Sequence, residues 1–379
     1  MYQPYPGGPQ QVYYVPAHGT QTHAGFLSGV QAQIRNIAST EKLEGFSLGR
    51  TFSETFKRHG ADAVDDYMMV GSSRTTPPIE LVDTNWPRPW MFFRLLAIFT
   101  IASVVLYAVW LFTGNIPLIS ALQIMGAFGV PVAVLVFIFE MNTPRNVSVV
   151  VLGKLFVIGG LTAICAVSFE YMNAVAGKMP GVMEETAKLA ALLIVMRSAR
   201  YKYELNGILF GCAVGAGFAC FETTFYAFQS LMQALNKGAN GDAAVQAMMS
   251  TLVLRAVTAP FLHVVWTAIA AGAFWRVKQD RPVSASMLLD GRFLKAFAIP
   301  VVMHTLWDAS VILPNLNGWI DIGLWIGTGL TSWYVLFTMI QQGLHQVKDV
   351  QVRQLQSTLA SMQPVVGTYA MQPQGLASA

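Results

Sequence analysis

Charged residues are scarce in this sequence. Asp, Glu, Lys and Arg together make up 12% of its 379 residues, about half the share of an ordinary soluble domain. Hydrophobic residues make up 54%, and the mean hydropathy is +0.48. This composition excludes a soluble globular domain and predicts an all-α, polytopic integral membrane protein. The net charge of +4 does not indicate a nucleic-acid partner, because in a membrane protein Lys and Arg are informative through their positions.

Cysteine is scarce as well, with three residues in the whole chain. Cys165, Cys212 and Cys220 all lie inside apolar runs, where we expect buried thiols, and a disulfide framework is excluded. The N-terminal region also lacks a basic stretch followed by an apolar one. No cleaved signal peptide is predicted there.

The chain divides by composition into four parts. Residues 1–40 are rich in Tyr, Pro, Gly and Gln, which predicts a disordered tail. Residues 41–89 form a polar cytoplasmic region with room for at most one short amphipathic helix, near 47–58. A membrane-embedded helical domain follows at 90–341. Residues 342–379 form a cytoplasmic tail, part of which is loosely amphipathic and could bind a partner or the membrane surface.

Within the membrane domain we predict eight transmembrane helices. Crossing a bilayer takes about 20 predominantly apolar residues, and segments of about this length follow one another with short connections. They lie near 90–112, 117–140, 147–169, 181–197, 205–234, 247–275, 293–313 and 318–341.

The basic residues test this count. Cytoplasmic loops of membrane proteins carry an excess of Lys and Arg. With both termini in the cytoplasm, 18 of the 24 basic residues fall inside, Lys178 and Lys237 fall outside, and four lie within helices. This asymmetry favours eight spans in a multi-pass protein of a cell membrane.

Three ionisable side chains, Glu184, Glu185 and Lys188, lie in the fourth predicted span. A charge at bilayer depth is costly, so such groups face the protein interior and mark a functional site by default. On a helix the lysine lies four residues from one glutamate and three from the other. It can therefore pair with either carboxylate.

Later spans carry further polar residues, namely Glu222 in the fifth, His263 in the sixth, and His304 with Asp308 in the seventh. Pro260 weakens the sixth helix one turn before its histidine. The i,i+4 spacing places Asp308 on the same helix face as His304. The aspartate can then accept a hydrogen bond from one ring nitrogen and fix the tautomer.

Helix geometry places these groups at similar depths. Measured at roughly 1.5 Å per residue from the predicted cytoplasmic end of each helix, Glu185 and His263 lie about 18 Å up, His304 about 14 to 18 Å and Glu222 about 25 Å. Four helices thus bring carboxylates and imidazoles into one layer, from the bilayer middle to its outer half.

These motifs resemble those of the PrsW family of intramembrane proteases. The matching elements are Glu184-Glu185-x-x-Lys188 for EExxK, Phe218-x-x-x-Glu222 for FxxxE, and His263 and His304-x-x-x-Asp308 for the later histidine motifs. The related type II CAAX prenyl endopeptidases instead read EExxxR, FxxxH and HxxxN/D. The resemblance covers about 181–308, with a protease core at about 181–313. It implies an intramembrane endopeptidase that cleaves a membrane-tethered protein, such as an anti-sigma factor or a similar regulator.

The residue types suit peptide hydrolysis, which needs an activated water, a proton acceptor and a stabiliser for the oxyanion. Nitrogen and oxygen donors with one open position are typical of a catalytic zinc site. We expect Glu222, His263 and His304 as ligands, Glu184 or Glu185 as the base with the other held by Lys188, and Asp308 as the partner that orients His304. A metal-free mechanism is also open, in which Glu185 activates water, an imidazole stabilises the oxyanion and Glu222 tunes both.

Taken alone, each of these residues could have a purely structural role. A lone glutamate at a helix end can snorkel or cap, and a single intramembrane histidine can join two helices by a hydrogen bond. Convergence on one layer favours a functional site instead. Arg255 could pair with a carboxylate such as Glu184 or snorkel outward, and we expect structural roles for it and for Lys154.

The depth of the site predicts a cut near the extracytoplasmic face of a single-pass membrane substrate. Two other functions are consistent with the sequence. A proton- or cation-coupled transporter could use the buried acids as a relay, and a non-catalytic membrane scaffold of the same superfamily would need no chemistry. The sequence has no HExxH, no GxGD with a partner Tyr-Asp and no plausible Gly-x-Ser-x-Gly elbow, so other intramembrane protease classes fit less well.

Overall fold

The computed structural model describes residues 43–60, 69–72, 74–172, 179–309, 313 and 317–362, and its regular elements there are helices. In chain order they are α1 (Leu48–Thr51), α2 (Met91–Thr113), α3 (Pro117–Met141), α4 (Val149–Met172), α5 (Pro180–Val195), α6 (Glu204–Asn236), α7 (Gly241–Thr258), α8 (His263–Lys278), α9 (Gly291–Trp307) and α10 (Gly318–Met362), with 3₁₀ turns at Ile79–Leu81, Ala259–Phe261 and Ala285–Leu289. The predicted all-α fold is confirmed.

Six helical stretches among the described residues are long and apolar enough to cross a membrane. They are α2, α3, α4, α6, α7 together with α8, and α10. The other two predicted spans correspond to α5 and α9, which have 16 and 17 residues and fall short of the usual 20 or so. Six spans are therefore supported, and the count of eight stays a prediction. The two short helices are those that carry Glu184 and His304.

The terminal regions differ from their predicted bounds. Helix α10 has 45 residues and a length of about 68 Å, so the helix does not end near 341 but continues to Met362. In the N-terminal region the helix expected near 47–58 is limited to the four residues of α1. The predicted tail at 1–40 lies outside the described residues.

Helix α6 is the most buried of the six spans, and glycines explain how it packs against α8. Gly207, Gly211 and Gly215 recur at every fourth position and face this helix. A Cβ at Gly211 would lie 2.1 Å from the carbonyl oxygen of Thr267, and one at Gly215 would lie 2.3 Å from that of His263. Small residues at this spacing allow two helix backbones to touch, and Gly215 thereby fixes the position of His263.

The opposite side of α6 is packed equally closely against α4. A Cβ at Gly217 would lie 1.9 Å from the carbonyl oxygen of Phe156, and a Cβ at Gly159 would lie 2.0 Å from that of Val214. Helix α5 then packs against α4, α8 and α9. This arrangement leaves the polar residues of four helices facing one another.

Two predictions about local structure can be compared with the fold directly. The helix is interrupted before His263, because α7 ends at Thr258 and a 3₁₀ turn that contains Pro260 separates it from α8. This confirms the predicted effect of the proline. The prediction that all three cysteines are buried is wrong for Cys165, which is exposed on the outward face of α4, while the other two thiols are buried.

Candidate active site

The seven residues singled out from the sequence lie together, and each comes from an element whose position explains its place. Helix α5 carries Glu184, Glu185 and Lys188 within its first nine residues. Helix α6 carries Glu222, and α8 begins at His263. Helix α9 carries His304 near its C-terminal end, and Asp308 follows it directly. Six are buried, each at most 5% exposed: Glu184, Glu185, Lys188, Glu222, His263 and His304. The site therefore lies inside the helical bundle, at the N-terminal ends of α5 and α8 and the C-terminal end of α9.

The ammonium group of Lys188 links both glutamates of α5. Its Nζ lies 2.6 Å from Glu185 Oε1 and 3.5 Å from Glu184 Oε2, so both pairings allowed by the helix spacing occur. The same Nζ lies 2.9 Å from Nδ1 of His263 and 4.2 Å from the ring centroid of Phe218. Of the two carboxylates, Glu185 is held more tightly by the lysine.

Both imidazoles lie near the Glu184 carboxylate, and each is held more closely by a second carboxylate. Oε2 of Glu184 lies 3.6 Å from Nδ1 of His263 and 3.8 Å from Nε2 of His304. The other nitrogen of His263 lies 2.8 Å from Glu222 Oε2, and that of His304 lies 3.0 Å from Glu185 Oε1. Each ring is therefore held at one nitrogen by a carboxylate. The other nitrogen lies on the side of Glu184, where its nearest partner is Lys188 Nζ for His263 (2.9 Å) and Asp308 Oδ2 for His304 (3.2 Å).

Three of these residues could hold a metal ion. Ligand atoms of Glu184, His263 and His304 all lie within 4.8 Å of one another. Two imidazoles and a carboxylate form a donor set that zinc uses in catalytic sites. Lys188 Nζ already lies against two of the three residues, so the group accommodates a positive charge. Glu222, which the sequence suggested as a ligand, is not in this group and contacts the far nitrogen of His263 instead.

The charges around the group also suit a divalent cation. The carboxylates of Glu184, Glu185 and Glu222 contact the cations Lys188 and Arg255, and that of Asp308 joins the same network through His304. In the metal-binding state, in which all four carboxylates are ionised and both imidazoles are neutral, this network carries a formal charge of −2. Burying an unbalanced charge is costly, and a divalent cation would balance it.

Asp308 is the carboxylate of the site that reaches solvent or lipid. Its Oδ2 lies 3.2 Å from Nε2 of His304, and its side chain is 24% exposed, compared with 3% for the histidine. The contact predicted from the i,i+4 spacing is therefore present. It involves the same nitrogen that faces Glu184, so Asp308 borders the potential metal group.

Arg255 of α7 has a different partner from the one suggested above. Its guanidinium contacts Oε2 of Glu222, its Nε donates a hydrogen bond of 2.8 Å to Thr223 Oγ1, and its Cζ lies 4.9 Å from the ring centroid of Tyr226. The suggested pairing with Glu184 is wrong, because α7 packs against α6 and the arginine meets the acidic residue of that helix.

Two further residues near the site were not singled out from the sequence. Glu170, close to the end of α4, has a buried Oε1 with no hydrogen-bond partner among the described residues, and it interacts electrostatically with Glu222, Lys188 and His304. The ring of Trp266 stacks on that of His304 at 4.6 Å between centroids. Each residue has a signal in the sequence: Glu170 is a single acid at the end of an apolar run, and Trp266 is an aromatic residue three positions after His263.

Comparison with known proteins agrees with this geometry. The family model described as PrsW family intramembrane metalloprotease matches residues 120–340, more than half of the chain and all of the site. No curated protein and no solved structure matches the chain significantly. The protein is thus a multi-pass membrane protease, and the chain belongs to the PrsW family of intramembrane metalloproteases.

Proposed function

We propose that this protein is a zinc-dependent intramembrane endopeptidase that cleaves membrane-tethered, single-pass proteins near the extracytoplasmic face. The observation that carries the proposal is the buried convergence of Glu184, His263 and His304 within a chain of an intramembrane metalloprotease family. A protease of this kind acts on a protein substrate within or beside the lipid bilayer. A membrane-tethered regulator, such as an anti-sigma factor, fits this description.

In the proposed site Glu184, His263 and His304 hold the metal, so Glu184 takes the place that the sequence suggested for Glu222. Zinc bound there would supply a Lewis acid for the scissile carbonyl and make a bound water more acidic. The remaining site residues bind no metal in this proposal. They orient the ligands, balance the buried charge or accept the proton.

Two carboxylates orient the imidazoles. Glu222 lies against Nε2 of His263, and Glu185 lies against Nδ1 of His304. A carboxylate on the far nitrogen of a ligating histidine fixes its tautomer and its ring orientation. Lys188 balances the charge of Glu185, with which it makes the shorter of its two carboxylate contacts. Lys188 therefore neutralises Glu185 in this proposal, and the carboxylate of Glu184 serves as the metal ligand.

The remaining requirement is a proton acceptor for the attacking water. Glu185 is fully buried and already contacts Lys188, His304 and Thr267, so water has little access to it. Asp308 borders the metal group and is partly exposed. We therefore assign the role of general base to Asp308 and no longer to a glutamate of α5, since a general base must lie within reach of the water it deprotonates.

The position of the site along the helices supports the proposed face of cleavage. It lies where α5 and α8 begin and where α9 ends, at one end of all three helices. Basic residues cluster beyond the other ends, after α5, at the end of α8 and at the start of α9. The positive-inside rule assigns those ends to the cytoplasm, which puts the site toward the extracytoplasmic side with both chain termini inside. A bacterial cytoplasmic membrane is the expected location.

The experiment that tests this assignment compares Glu184→Gln with Asp308→Asn in detergent-purified protein. Zinc content and the cleavage of a panel of single-pass membrane peptides are measured on the same preparations. Glu184→Gln should lose both the zinc and the cleavage. Asp308→Asn should keep the zinc and lower kcat by about 10²- to 10⁴-fold, the usual contribution of a general base.

Other results would change the assignment. If Asp308→Asn lowers zinc affinity by roughly 10- to 100-fold, Asp308 orients a ligand and is not the base. If Glu184→Gln keeps both the metal and the activity, the proposed ligand set is wrong. If wild type cleaves no peptide of the panel and binds no zinc, the proposed function fails as a whole.

A further inference from the structure

Arg255 is the one cation besides Lys188 that contacts a carboxylate of the site among the described residues. It belongs to none of the sequence motifs and lies on a stretch of α7 that is otherwise largely apolar. A charged residue in a membrane helix is costly to keep, so its contacts are informative. These contacts connect Arg255 to His263 through Glu222.

The contacts form a chain of three residues. The Arg255 guanidinium donates to Oε2 of Glu222, and that same oxygen lies 2.8 Å from Nε2 of His263. The other ring nitrogen of the histidine, Nδ1, faces Lys188 Nζ at 2.9 Å and Glu184 Oε2 at 3.6 Å. A shift of the Glu222 carboxylate would release the Nε2 side of the ring and allow it to turn.

We infer that Arg255 is a positioning residue, which holds Glu222 against Nε2 of His263 so that Nδ1 of the histidine stays directed at Glu184. This inference rests on the proposed metallopeptidase function, because it concerns the orientation of one of the three metal-holding residues. Arg255 itself touches neither the metal group nor the reacting atoms. Its effect passes through Glu222.

The break between α7 and α8 explains why such a residue is needed. His263 follows a 3₁₀ turn, so no continuous helix fixes it relative to α7. Arg255 fastens α7 to α6 at two neighbouring acceptors, Glu222 and Thr223. A planar guanidinium can donate to two acceptors in fixed directions, whereas an ammonium acts as a single point charge. Lysine at this position should therefore replace the charge but not the full geometry.

The chain contains a matched control at the other end of α6. Arg276 of α8 pairs with Glu204 of α6 at 2.5 Å. The side chains of Arg276 and Glu204 are 23% and 4% exposed, and those of Arg255 and Glu222 are 20% and 6% exposed. Both ion pairs therefore join α6 to a neighbouring helix with nearly equal burial. Arg276 lies far from the site along α6 and α8, and it reports what the loss of such a bridge costs in general.

The test measures zinc affinity by chelator competition and the kcat and KM of peptide cleavage, for Arg255→Met, Arg255→Lys and Arg276→Met. Arg255→Met should lower zinc affinity about 10-fold, the lower end of the effect of losing an orienting partner of a ligating histidine, and should reduce kcat more than it raises KM. Arg255→Lys should recover part of both losses. Arg276→Met should change stability without changing zinc affinity.

A double variant shows whether the effect passes through Glu222. If it does, Arg255→Met combined with Glu222→Gln should lower zinc affinity no further than Glu222→Gln alone, because residues in one contact chain are not additive. Equal zinc affinities for Arg255→Met and Arg276→Met, or additive losses in the double variant, would overturn the inference.

The failure of this inference can be told apart from the failure of the proposed function. If wild type binds zinc and cleaves peptides while Arg255→Met behaves like Arg276→Met, the function stands and the positioning role is rejected. If wild type cleaves peptides without zinc, the metal site is rejected. The positioning role is then tested by kcat in the double variant Arg255→Met, Glu222→Gln. It is upheld if the double variant loses no more kcat than Glu222→Gln alone, and it is rejected if the two losses add up. If wild type neither binds zinc nor cleaves, both are rejected.

Discussion

Replacing Lys188 with methionine tests the electrostatic account of the site most severely. The lysine is fully buried, and its Nζ contacts two carboxylates that are themselves at most 2% exposed. The Lys188→Met substitution would leave those carboxylates buried without that cation. Removal of one partner from a buried ion pair costs about 3 to 5 kcal/mol. At roughly 2 °C per kcal/mol for a large domain, Tm should fall by about 6 to 10 °C.

The assay is thermal unfolding of the chelator-treated protein in detergent, so that no metal replaces the missing ammonium. Lys188→Met combined with Glu185→Gln supplies the control, because it removes the cation together with its closest partner at 2.6 Å. Part of the lost stability should return in this double variant. A fall of less than about 2 °C in the single variant, or a double variant less stable than the single one, would refute the reasoning.

Three further predictions concern packing, the metal and the ring that stacks on His304. Gly215→Ala places a methyl group 2.3 Å from the His263 carbonyl oxygen, so it should lower the free energy of unfolding by about 1 to 3 kcal/mol and reduce cleavage, whereas Gly153→Ala in open space should do neither. Chelation should abolish cleavage, which zinc but not magnesium should restore, because imidazole ligands suit zinc and magnesium prefers oxygen ligands. Trp266→Phe should keep cleavage while costing about 1 kcal/mol of stability in thermal unfolding, because it loses the hydrogen bond of 3.0 Å to Ser332.

The helices could be predicted from the sequence because their signals are local. Long apolar runs, basic loops and Pro260 each act within a few residues, and the observed helices and the break before His263 agree with them. The length of α10 was missed because its second half is polar enough to read as a tail, although it continues the helix to Met362. The glycine spacing at 207, 211 and 215 was also available as a signal of close helix packing.

The residues that form the site could be predicted from the sequence, but which of them contact one another could not. Charge at bilayer depth singled out the seven residues, and the i,i+4 rule gave the contact of Asp308 with His304. Which carboxylate faces which ring nitrogen depends on the rotation of α6 and α8 about their axes, and this is set by the glycine contacts between them. For this reason the sequence favoured Glu222 as a ligand and left Arg255 with two options, a carboxylate such as Glu184 or an outward orientation, whereas the structure pairs Arg255 with Glu222.

The most direct test of the central claim is the zinc content of purified wild type, determined by mass spectrometry beside that of His263→Ala, with cleavage of single-pass membrane peptides scored on the same samples. His263 belongs to the proposed metal group, and its Nδ1 lies 3.6 Å from Glu184 Oε2. We expect close to one zinc per wild-type chain, and the loss of both the metal and the cleavage in the variant. Cleavage by a wild-type preparation without bound metal, or a variant that keeps its zinc, would contradict the proposed zinc site.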